Sequence, residues 1–268
     1  AFLNWFHGQI KIYMVEGQVI MAQPRNWGVL SSFVSIAFTL ACSAVPHLRD
    51  LPMLFIDYRG LKYLAKIQDY WRFTRPFEPL TSEFLVGNAE ENDVFLDIGA
   101  HVGIHAIRLA QEVSKVIALE PEPENYSLLY RNIFINNLSG KFIVLPIAIS
   151  DRDGYAYLCL KTSSGAHTLE GSVNCRKRVK VITLRIDTLL KVLKVSKVDI
   201  VKIDVEGHEN KVVNGMERLL NYNPPRILVI ETKKDNTNLR ESLIEKGYRV
   251  QVLDCWNSMC NYGFYMAK

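Results

Sequence analysis

The chain has 268 residues, of which 49% are hydrophobic and 22% are charged. This balance suits one large globular domain, or one domain with an extension, and supplies ample apolar residues for a core. The net charge is only +4 and both signs are mixed along the chain, which argues against a nucleic-acid-binding protein.

The cysteines form no C-x-x-C pair and are odd in number: Cys42, Cys159, Cys175, Cys255 and Cys260. This pattern argues against a zinc site and against the disulfide framework of a secreted protein. Two of them, Cys255 and Cys260, are close enough in sequence to pair. Free or buried thiols are the simpler interpretation, and we expect them.

Residues 1–80 are predicted to form a mostly helical extension. Within it, residues 27–45 (WGVLSSFVSIAFTLACSAV) contain no charge, and their number is near the lower limit for a membrane span. Serines and threonines dilute the segment, so three interpretations stay open: a helix packed on the domain, a membrane anchor or span, and a processed targeting segment. We expect a cytoplasmic protein, with membrane association through residues 27–45 as an alternative.

Residues 54–73 (LFIDYRGLKYLAKIQDYWRF) continue the extension with apolar residues at helical spacing. This spacing predicts an amphipathic helix. A second, short helix is predicted to begin near Glu83, with Thr81 or Ser82 as its cap. That helix leads the chain to the first strand of the next region.

Residues 94–110 (VFLDIGAHVGIHAIRLA) have the pattern of a strand, a glycine loop and a helix. An acid stands two positions before the first glycine, as in the loop of S-adenosylmethionine-dependent methyltransferases, whereas a dinucleotide-binding loop would have the spacing G-x-G-x-x-G. The acid can hold the ammonium group of that cofactor, and backbone N–H groups can meet its carboxylate. The predicted cofactor contacts in this loop are Asp97, Gly99, Ala100, His101 and Gly103.

Two further turns are predicted to contact the cofactor. The strand at residues 116–119 ends on Glu120, which is placed to bind ribose hydroxyls, and Pro121 follows it. The strand at residues 141–147 is followed by Ala148 and Ile149, which could contact the adenine ring. Beyond them, Ser150 and Asp151 could reach its exocyclic amine. A surface glutamate and an ordinary Asp-rich turn are the alternative interpretations.

Residues 155–190 contain two predicted strands around a polar loop, which could close over an active site. The loop carries His167 and the basic residues 176–178. Solvated side chains are the simpler interpretation of both, and contact with an anionic acceptor is the alternative. Near the C-terminus, Glu231 and the segment 255–257 are expected to border the acceptor pocket.

The buried strand at residues 198–204 ends in a cluster of candidate catalytic residues, Asp204, Glu206 and His208. Methyl transfer to a hydroxyl requires alignment and removal of a proton. His208 has suitable basicity. Either acid could instead accept the proton, orient the histidine or hold a divalent cation. One such cluster is weak support for a metal, so no metal site is predicted. The structural alternative is that acids here favour a helix N-terminus.

Several segments, in this order, resemble the FkbM family of S-adenosylmethionine-dependent methyltransferases: EPEPENYSLLYRNIFINN, AISDRDG, RIDTLL and VDIVKIDVEGHE. The resemblance covers residues 78–232, and KIDVEGHE is its most specific part. The family commonly has Asn at the position of His101, so this residue is a mild departure.

The resemblance implies an α/β class I methyltransferase domain, a Rossmann-like fold, over residues 81–268. Its sheet is expected to have seven mostly parallel strands, with an antiparallel last strand. The implied cofactor is S-adenosyl-L-methionine, and the implied reaction is O-methylation of a hydroxyl on a sugar, a glycan or a small metabolite. The alternatives are an RNA methyltransferase and a non-catalytic nucleotide-binding protein of the same fold. No nucleic-acid partner is expected, and the oligomeric state is left open.

Overall fold

The computed structural model describes residues 11–15, 18–22, 46–73, 76–169, 171 and 175–266. Its strands are β1 (Lys11–Val15), β2 (Gln18–Ala22), β3 (Pro52–Ile56), β4 (Lys62–Lys66), β5 (Val94–Ile98), β6 (Lys115–Leu119), β7 (Phe142–Leu145), β8 (Ile147–Ile149), β9 (Gly154–Leu160), β10 (Lys177–Leu184), β11 (Ile200–Ile203), β12 (Ile227–Lys233), β13 (Tyr248–Trp256) and β14 (Met259–Met266). Its α-helices are α1 (Pro79–Gly87), α2 (Ile104–Leu109), α3 (Pro123–Ile135), α4 (Ile186–Leu193), α5 (Glu209–Asn214), α6 (Glu217–Tyr222) and α7 (Thr237–Glu245). Short 3-10 helices lie at Pro46–Asp50, Ile67–Arg72 and Ser139–Lys141.

The central sheet has seven strands in the order β13-β14-β12-β11-β5-β6-β7. Strands β5, β6, β7, β11 and β12 pair in parallel, whereas β14 runs antiparallel to both of its neighbours. The parallel strands are rich in buried apolar residues because both faces of the sheet are covered. Phe95 of β5 packs into one core and Leu96 into the other. This sheet confirms the architecture predicted from the sequence.

A smaller sheet, in the order β8-β10-β9, carries the middle insert. The strand predicted at residues 141–147 is divided at Pro146, which lacks the N–H group needed to continue the ladder. As a result, β7 stays in the central sheet, while β8 leaves it and pairs in parallel with β10. The predicted strands on both sides of the insert are present as the antiparallel pair β9–β10.

The amphipathic helix predicted at residues 54–73 is wrong. The structure has instead the hairpin β3–β4, followed by a 3-10 helix, in a four-stranded sheet of order β1-β2-β3-β4. The reason is local, because Asp57 Oδ1 accepts hydrogen bonds from the N–H groups of Arg59 (2.9 Å) and Leu61 (3.0 Å). Gly60 then takes a φ of +83°, which closes a tight turn and interrupts the helix.

The extension as a whole was predicted to be mostly helical, and its described part contradicts this with strands. Residues 27–45 lie outside the described residues, so their three interpretations stay open. Within the part of the chain that the structure describes, no helix is long and apolar enough to cross a membrane.

The hairpin β3–β4 packs into the same apolar core as the central sheet. Arg108 of α2 forms a buried ion pair with Asp57 at 3.2 Å. Asn132 of α3 binds the Leu64 backbone with both ends of its amide, accepting from the N–H at 2.6 Å and donating to the carbonyl at 2.9 Å. Contacts therefore cross the predicted boundary between residues 1–80 and 81–268, and that division stays a prediction.

The expectation of free thiols is wrong for the cysteines that the structure describes. Disulfides join Cys159 to Cys175 and Cys255 to Cys260. The second pair lies directly across the β13–β14 hairpin, whose register places the two residues opposite each other. Strand register, which the spacing of cysteines does not reveal, explains the error. Cys42 lies outside the described residues.

Candidate active site

A cavity of about 730 Å³ opens beyond the carboxyl ends of the central strands. Its walls include Gly99 after β5, Glu120 after β6, Asp204 after β11 and Glu231 within β12. This is where open α/β sheets bind their ligands, and the volume is in the range of small-molecule sites. The cavity therefore brings together the strand ends that the sequence singled out.

The loop after β5 requires glycine at its first turn. Gly99 has a φ of +83°, and a Cβ atom there would lie 1.9 Å from the Asp204 backbone oxygen. Two neighbouring predicted contacts, Ala100 and Gly103, are outside the cavity lining, and Gly103 begins the turn into α2. Their contribution is therefore to the shape of the loop.

Asp97, which the sequence assigns to the ammonium group of the cofactor, is buried beneath the cavity and is not in its lining. Its Oδ1 atom has no hydrogen-bond partner among the described residues. Burial raises the pKa of Asp97, and the nearby Lys202 opposes this shift. Asp97 therefore has no direct contact with the cavity in this structure, and its assignment to the ammonium group of the cofactor stays a prediction.

Glu120 lines the cavity with its carboxylate already oriented. Its Oε2 atom accepts the N–H of His101 at 2.8 Å, and its Oε1 atom accepts the N–H of Glu122 at 2.8 Å. Burial raises the pKa of this carboxyl to about 8. In the ionised form, each oxygen keeps a second lone pair that can accept a hydrogen bond from a hydroxyl, as ribose binding requires. Pro121 also lines the cavity.

His101 is fixed by a hydrogen-bonded chain from the N-terminal region. Ser164 Oγ lies 2.7 Å and 2.6 Å from the two carboxylate oxygens of Asp69, and 3.0 Å from His101 Nε2. The single hydroxyl proton serves Asp69, so we assign the proton of His101 to Nε2, which donates to Ser164. His101 Nδ1 is then an acceptor, buried without a partner in the described structure. Burial and the nearby Arg72 hold the pKa of His101 well below its usual value.

Asn125 provides a second such acceptor at the same wall. Its Nδ2 atom donates to the Ser164 carbonyl at 3.1 Å, and its Oδ1 atom is buried without a partner among the described residues. Both Asn125 and His101 line the cavity. Adenosine offers amine and hydroxyl donors, so these acceptors fit the cofactor that the sequence predicts.

Four residues at the end of β8 and in the turn after it were predicted to contact the adenine, and two of them line the cavity. Ala148 and Ile149 line the cavity, whereas Ser150 and Asp151 are outside its lining. Ser150 Oγ instead lies 2.9 Å from Nε2 of His208 and donates to Asp151 Oδ1 at 3.1 Å. The serine therefore positions the candidate catalytic histidine in this structure.

Three carboxyl groups from distant parts of the chain converge at one end of the cavity. Glu78, Asp204 and Glu231 each place an oxygen within 4.8 Å of the other two, a spacing that a divalent cation could bridge. Burial opposes ionisation of Asp204, but Lys202, with Nζ at 2.9 Å, outweighs it and lowers the pKa of that carboxyl.

Glu231, unlike Asp204, has a raised pKa. Burial, and then the charges of Asp204 and Glu78, raise its pKa to about 10, so it is protonated at neutral pH. This proton and the Lys202 ammonium reduce the negative charge of the cluster, which Glu78 and Asp204 still carry. The prediction that the chain has no metal site is not tested by this geometry and stays a prediction.

Glu78 is held in place by contacts with residues of α2 and β14. Its Oε2 atom lies 2.9 Å from His105 Nε2 and accepts a hydrogen bond from Asn261 Nδ2 at 3.1 Å.

The helix predicted to begin near Glu83 begins at Pro79 instead, because proline suits the first helical position. Asp254 accepts the N–H of Thr81 at 2.7 Å, which ties this helix to β13.

Glu206 and His208 both line the cavity, as does Asp204. Burial, and then the neighbouring Asp204 carboxylate, raise the pKa of Glu206 to about 8. Thr168 Oγ1 donates to the Glu206 carbonyl at 2.8 Å, which attaches the insert to this strand end. The structure therefore brings the three predicted catalytic residues to one wall.

Sequence reasoning missed the wall contributed by the N-terminal region, which includes Trp71, Arg72 and Phe77. The proline after Glu78 was an available signal, since it marks a helix start next to an acid. His167 lines the cavity rather than being simply solvated, and burial lowers its pKa to about 4. Trp256 and its neighbour Cys255 border the cavity, as the sequence predicted.

Similar proteins give this arrangement a context. Hexuronic acid methyltransferase AglP from Haloferax volcanii is 32% identical over 158 residues, which are 59% of this chain and 64% of that protein. A protein from Nanoarchaeum equitans, named as an uncharacterized RNA methyltransferase, is 38% identical over 68 residues, 25% of this chain and 15% of that protein. The chain thus spans less than two thirds of the length of these relatives.

A solved structure shows the fold. The methyltransferase FkbM from Methylobacillus flagellatus KT aligns with a TM-score of 0.52 at 18% identity, covering 71% of this chain and 48% of that one. The likeness confirms the class I methyltransferase fold that the seven-stranded sheet displays.

The family model described as the methyltransferase FkbM domain matches residues 97–250, more than half of the chain. The match begins at the acid of the glycine loop and includes Glu120 and the strand end from Asp204 to His208. It confirms the predicted methyltransferase domain, for which S-adenosylmethionine is the cofactor. The chain therefore belongs to the FkbM methyltransferase family.

Proposed function

We propose that this protein methylates a hydroxyl group of a sugar or glycan, using S-adenosylmethionine as the methyl donor. The observation that carries the proposal is that one cavity joins Glu120 and His101 to the acids Asp204 and Glu206. The first pair can bind an adenosine, and the second pair can bind and deprotonate a hydroxyl. The name of the Haloferax relative, a hexuronic acid methyltransferase, supports a sugar as the acceptor.

The cofactor fits the chemistry of its wall. When bound, S-adenosylmethionine supplies a methyl group on a positively charged sulfonium centre. The carboxyl groups around Asp204 provide negative charge for such a cation. Glu120, His101 and Asn125 provide acceptors for its hydroxyl and amine donors.

Glu206 is the proposed general base. Its pKa of about 8 lies near neutral pH, where a carboxylate can both be ionised and accept a proton. Asp204, which Lys202 keeps ionised, accepts a hydrogen bond from the acceptor hydroxyl and orients it. His208 is proposed to position this strand end through its contact with Ser150.

An RNA acceptor is less well supported by the cavity. The acidic residues among the described lining are Glu78, Glu120, Asp204, Glu206, Glu231 and Asp254. Among the same described lining, Arg72 is the one arginine or lysine. Glu78 and Asp204, whose pKa values are lowered, stay ionised and repel a phosphate backbone, whereas binding to RNA rests on phosphate contacts. The similarity to the named RNA methyltransferase covers only a quarter of the chain.

The direct test is transfer of a radiolabelled methyl group from S-adenosylmethionine to a panel of glycans, free and lipid-linked sugars, small hydroxyl compounds and RNA. We expect label in a carbohydrate, at a position that is stable to mild base, as an ether is and an ester is not. Label in RNA alone would contradict the proposal. Tight binding of S-adenosylhomocysteine without transfer to any acceptor would favour a non-catalytic role.

A further inference from the structure

Arg72 carries the one arginine or lysine charge among the described residues that line the cavity. Its Nε atom is buried and has no hydrogen-bond partner in the described structure. The ion pair with Asp69 is long, with Nε at 3.9 Å from Oδ1. The carboxylate of Asp69 is already engaged at much shorter distance by the Ser164 hydroxyl. N–H donors of the guanidinium are therefore available to a ligand that enters the cavity.

The guanidinium is held rigidly. It lies over the Trp71 ring at 4.6 Å and over the Phe77 ring at 4.7 Å from the ring centroids. On the insert side, a Cβ atom at Gly165 would lie 2.2 Å from Nη2 of Arg72. The chain thus has a glycine where the guanidinium approaches the loop. Aromatic contacts of this kind fix the plane of an arginine and leave its edge to hydrogen-bond.

A carboxylate is the ligand that best fits such an edge. Its two oxygens match the fork of N–H donors, and the pair is stronger than a neutral hydrogen bond. The ionised acids of the cavity, Glu78 and Asp204, would repel an anion, so a carboxylate can enter with least cost beside Arg72. The buried, unpaired Nε–H is then satisfied, as buried donors normally are.

We propose that Arg72 forms a carboxylate-binding subsite in the active-site cavity. Two ligands of the proposed reaction carry such a group: the amino-acid end of S-adenosylmethionine, and an acceptor sugar of the uronic acid type. The inference rests on the proposed function for these two sources, but the chemistry of the subsite is the same for both.

The experiment compares ligand pairs that differ by a carboxylate. Arg72→Gln, Arg72→Lys and wild type are titrated with S-adenosylhomocysteine and with 5′-methylthioadenosine, which lacks the amino-acid end. D-glucuronate and D-glucose are compared by saturation-transfer NMR, with and without S-adenosylhomocysteine. Arg59→Gln is the matched control, because Arg59 also stacks on an aromatic ring but lies outside the cavity lining.

We expect Arg72→Gln to reduce the preference for the carboxylate-bearing member of one pair by about tenfold or more, as for loss of a charged hydrogen bond. Arg72→Lys should restore part of it, since lysine keeps the charge but not the fork. A change in the first pair assigns the subsite to the cofactor, and a change in the second assigns it to an acidic acceptor.

Unchanged preferences in both pairs, in an Arg72→Gln protein with wild-type thermal unfolding, would overturn the subsite. If Arg72→Gln does not fold, the same criterion applies to Arg72→Lys. Failure of the wild type to bind S-adenosylhomocysteine would count against the proposed function. In that case, the comparison of D-glucuronate with D-glucose in the absence of S-adenosylhomocysteine would still decide the role of Arg72.

Discussion

The two sides of the cavity are built in different ways. The side assigned to the cofactor comes from one continuous stretch, residues 97–149, whose contacts lie at or near the carboxyl ends of successive strands. The opposite side is assembled from residues 71–79, 158–169, 204–208 and 254–256. A local pattern therefore specifies donor binding, whereas the acceptor wall exists only once distant segments have packed together.

This contrast suggests which side is free to vary. The cofactor wall is constrained by backbone geometry, such as the approach of Gly99 to the Asp204 oxygen. The acceptor wall depends on side chains from loops, which a scaffold can exchange without altering its sheet. Substitutions on the cofactor side should therefore change cofactor affinity, and substitutions on the acceptor side should change turnover and acceptor affinity.

The largest effect is expected for Glu206→Gln. Loss of a general base lowers kcat by about 10²–10⁴-fold, while the affinity for S-adenosylhomocysteine should change little. In the wild type, the base works as a carboxylate and its pKa is about 8. With saturating substrates, kcat should therefore rise with pH up to about 8 and then level off, and this limb should be absent in Glu206→Gln.

The control for this variant is Glu217→Gln, an exposed acid in the first turn of α6. It should leave both kcat and its pH profile unchanged. A Glu206→Gln enzyme that keeps the wild-type rate and the rising limb would exclude Glu206 as the base, and would return the role to Asp204 or His208.

The next largest effect is expected for Gly99→Ala, which tests the cofactor side. The new Cβ atom would lie 1.9 Å from the Asp204 carbonyl oxygen, in a backbone conformation that costs alanine energy. Strain of about 3 kcal/mol would correspond to roughly 100-fold weaker binding of S-adenosylhomocysteine. Calorimetric titration measures this change, and thermal unfolding shows whether the fold is retained.

Gly140→Ala is the matched control, because a Cβ atom at Gly140 would have no heavy atom within 4 Å. It should bind S-adenosylhomocysteine as the wild type does. Equal affinities for Gly99→Ala and Gly140→Ala would show that the loop can open away from Asp204, and that the cofactor wall is less constrained than its geometry indicates.

The smallest effect is expected for Cys255→Ser combined with Cys260→Ser. The disulfide lies beside Trp256 and Asp254, so its loss should loosen the acceptor wall alone. We expect the acceptor KM to rise about threefold, equivalent to roughly 0.6 kcal/mol, with the affinity for S-adenosylhomocysteine unchanged. Steady-state kinetics of the variant and of reduced wild type would measure it. A cofactor affinity that weakens as much as the KM would contradict the separation of the two sides.

The sequence predicted correctly which strand ends line the cavity, whereas the roles of the residues there stay predictions. Glu120, Asp204 and Glu206 were placed in the cavity because the apolar runs before them fix parallel strands, whose carboxyl ends meet at one edge. The mostly parallel, seven-stranded sheet with an antiparallel last strand was implied by the family resemblance, whereas the order of its strands was not predicted. Roles that depend on backbone loops were harder to assign, as the position of Ser150 against His208 shows.

The N-terminal wall could not be predicted, because its signals contradict each other. Apolar residues from Leu61 to Trp71 have helical spacing, but the Asp57 side chain and Gly60 form a turn that makes a hairpin instead. Because a helix was predicted where the structure has a hairpin, the sequence could not indicate that Arg72 lines the cavity. The disulfides were missed because pairing of Cys159 with Cys175 requires the fold of the insert.

The docking of the β3–β4 hairpin has a consequence for any attempt to transplant or minimise this enzyme. A fragment cut at the start of the family match would retain the glycine loop but lose Glu78 and the guanidinium of Arg72. It would also leave Arg108 without Asp57 and Asn132 without the Leu64 backbone. The smallest fragment that keeps the site intact is therefore longer than the family-matched segment, residues 97–250, and must include the hairpin.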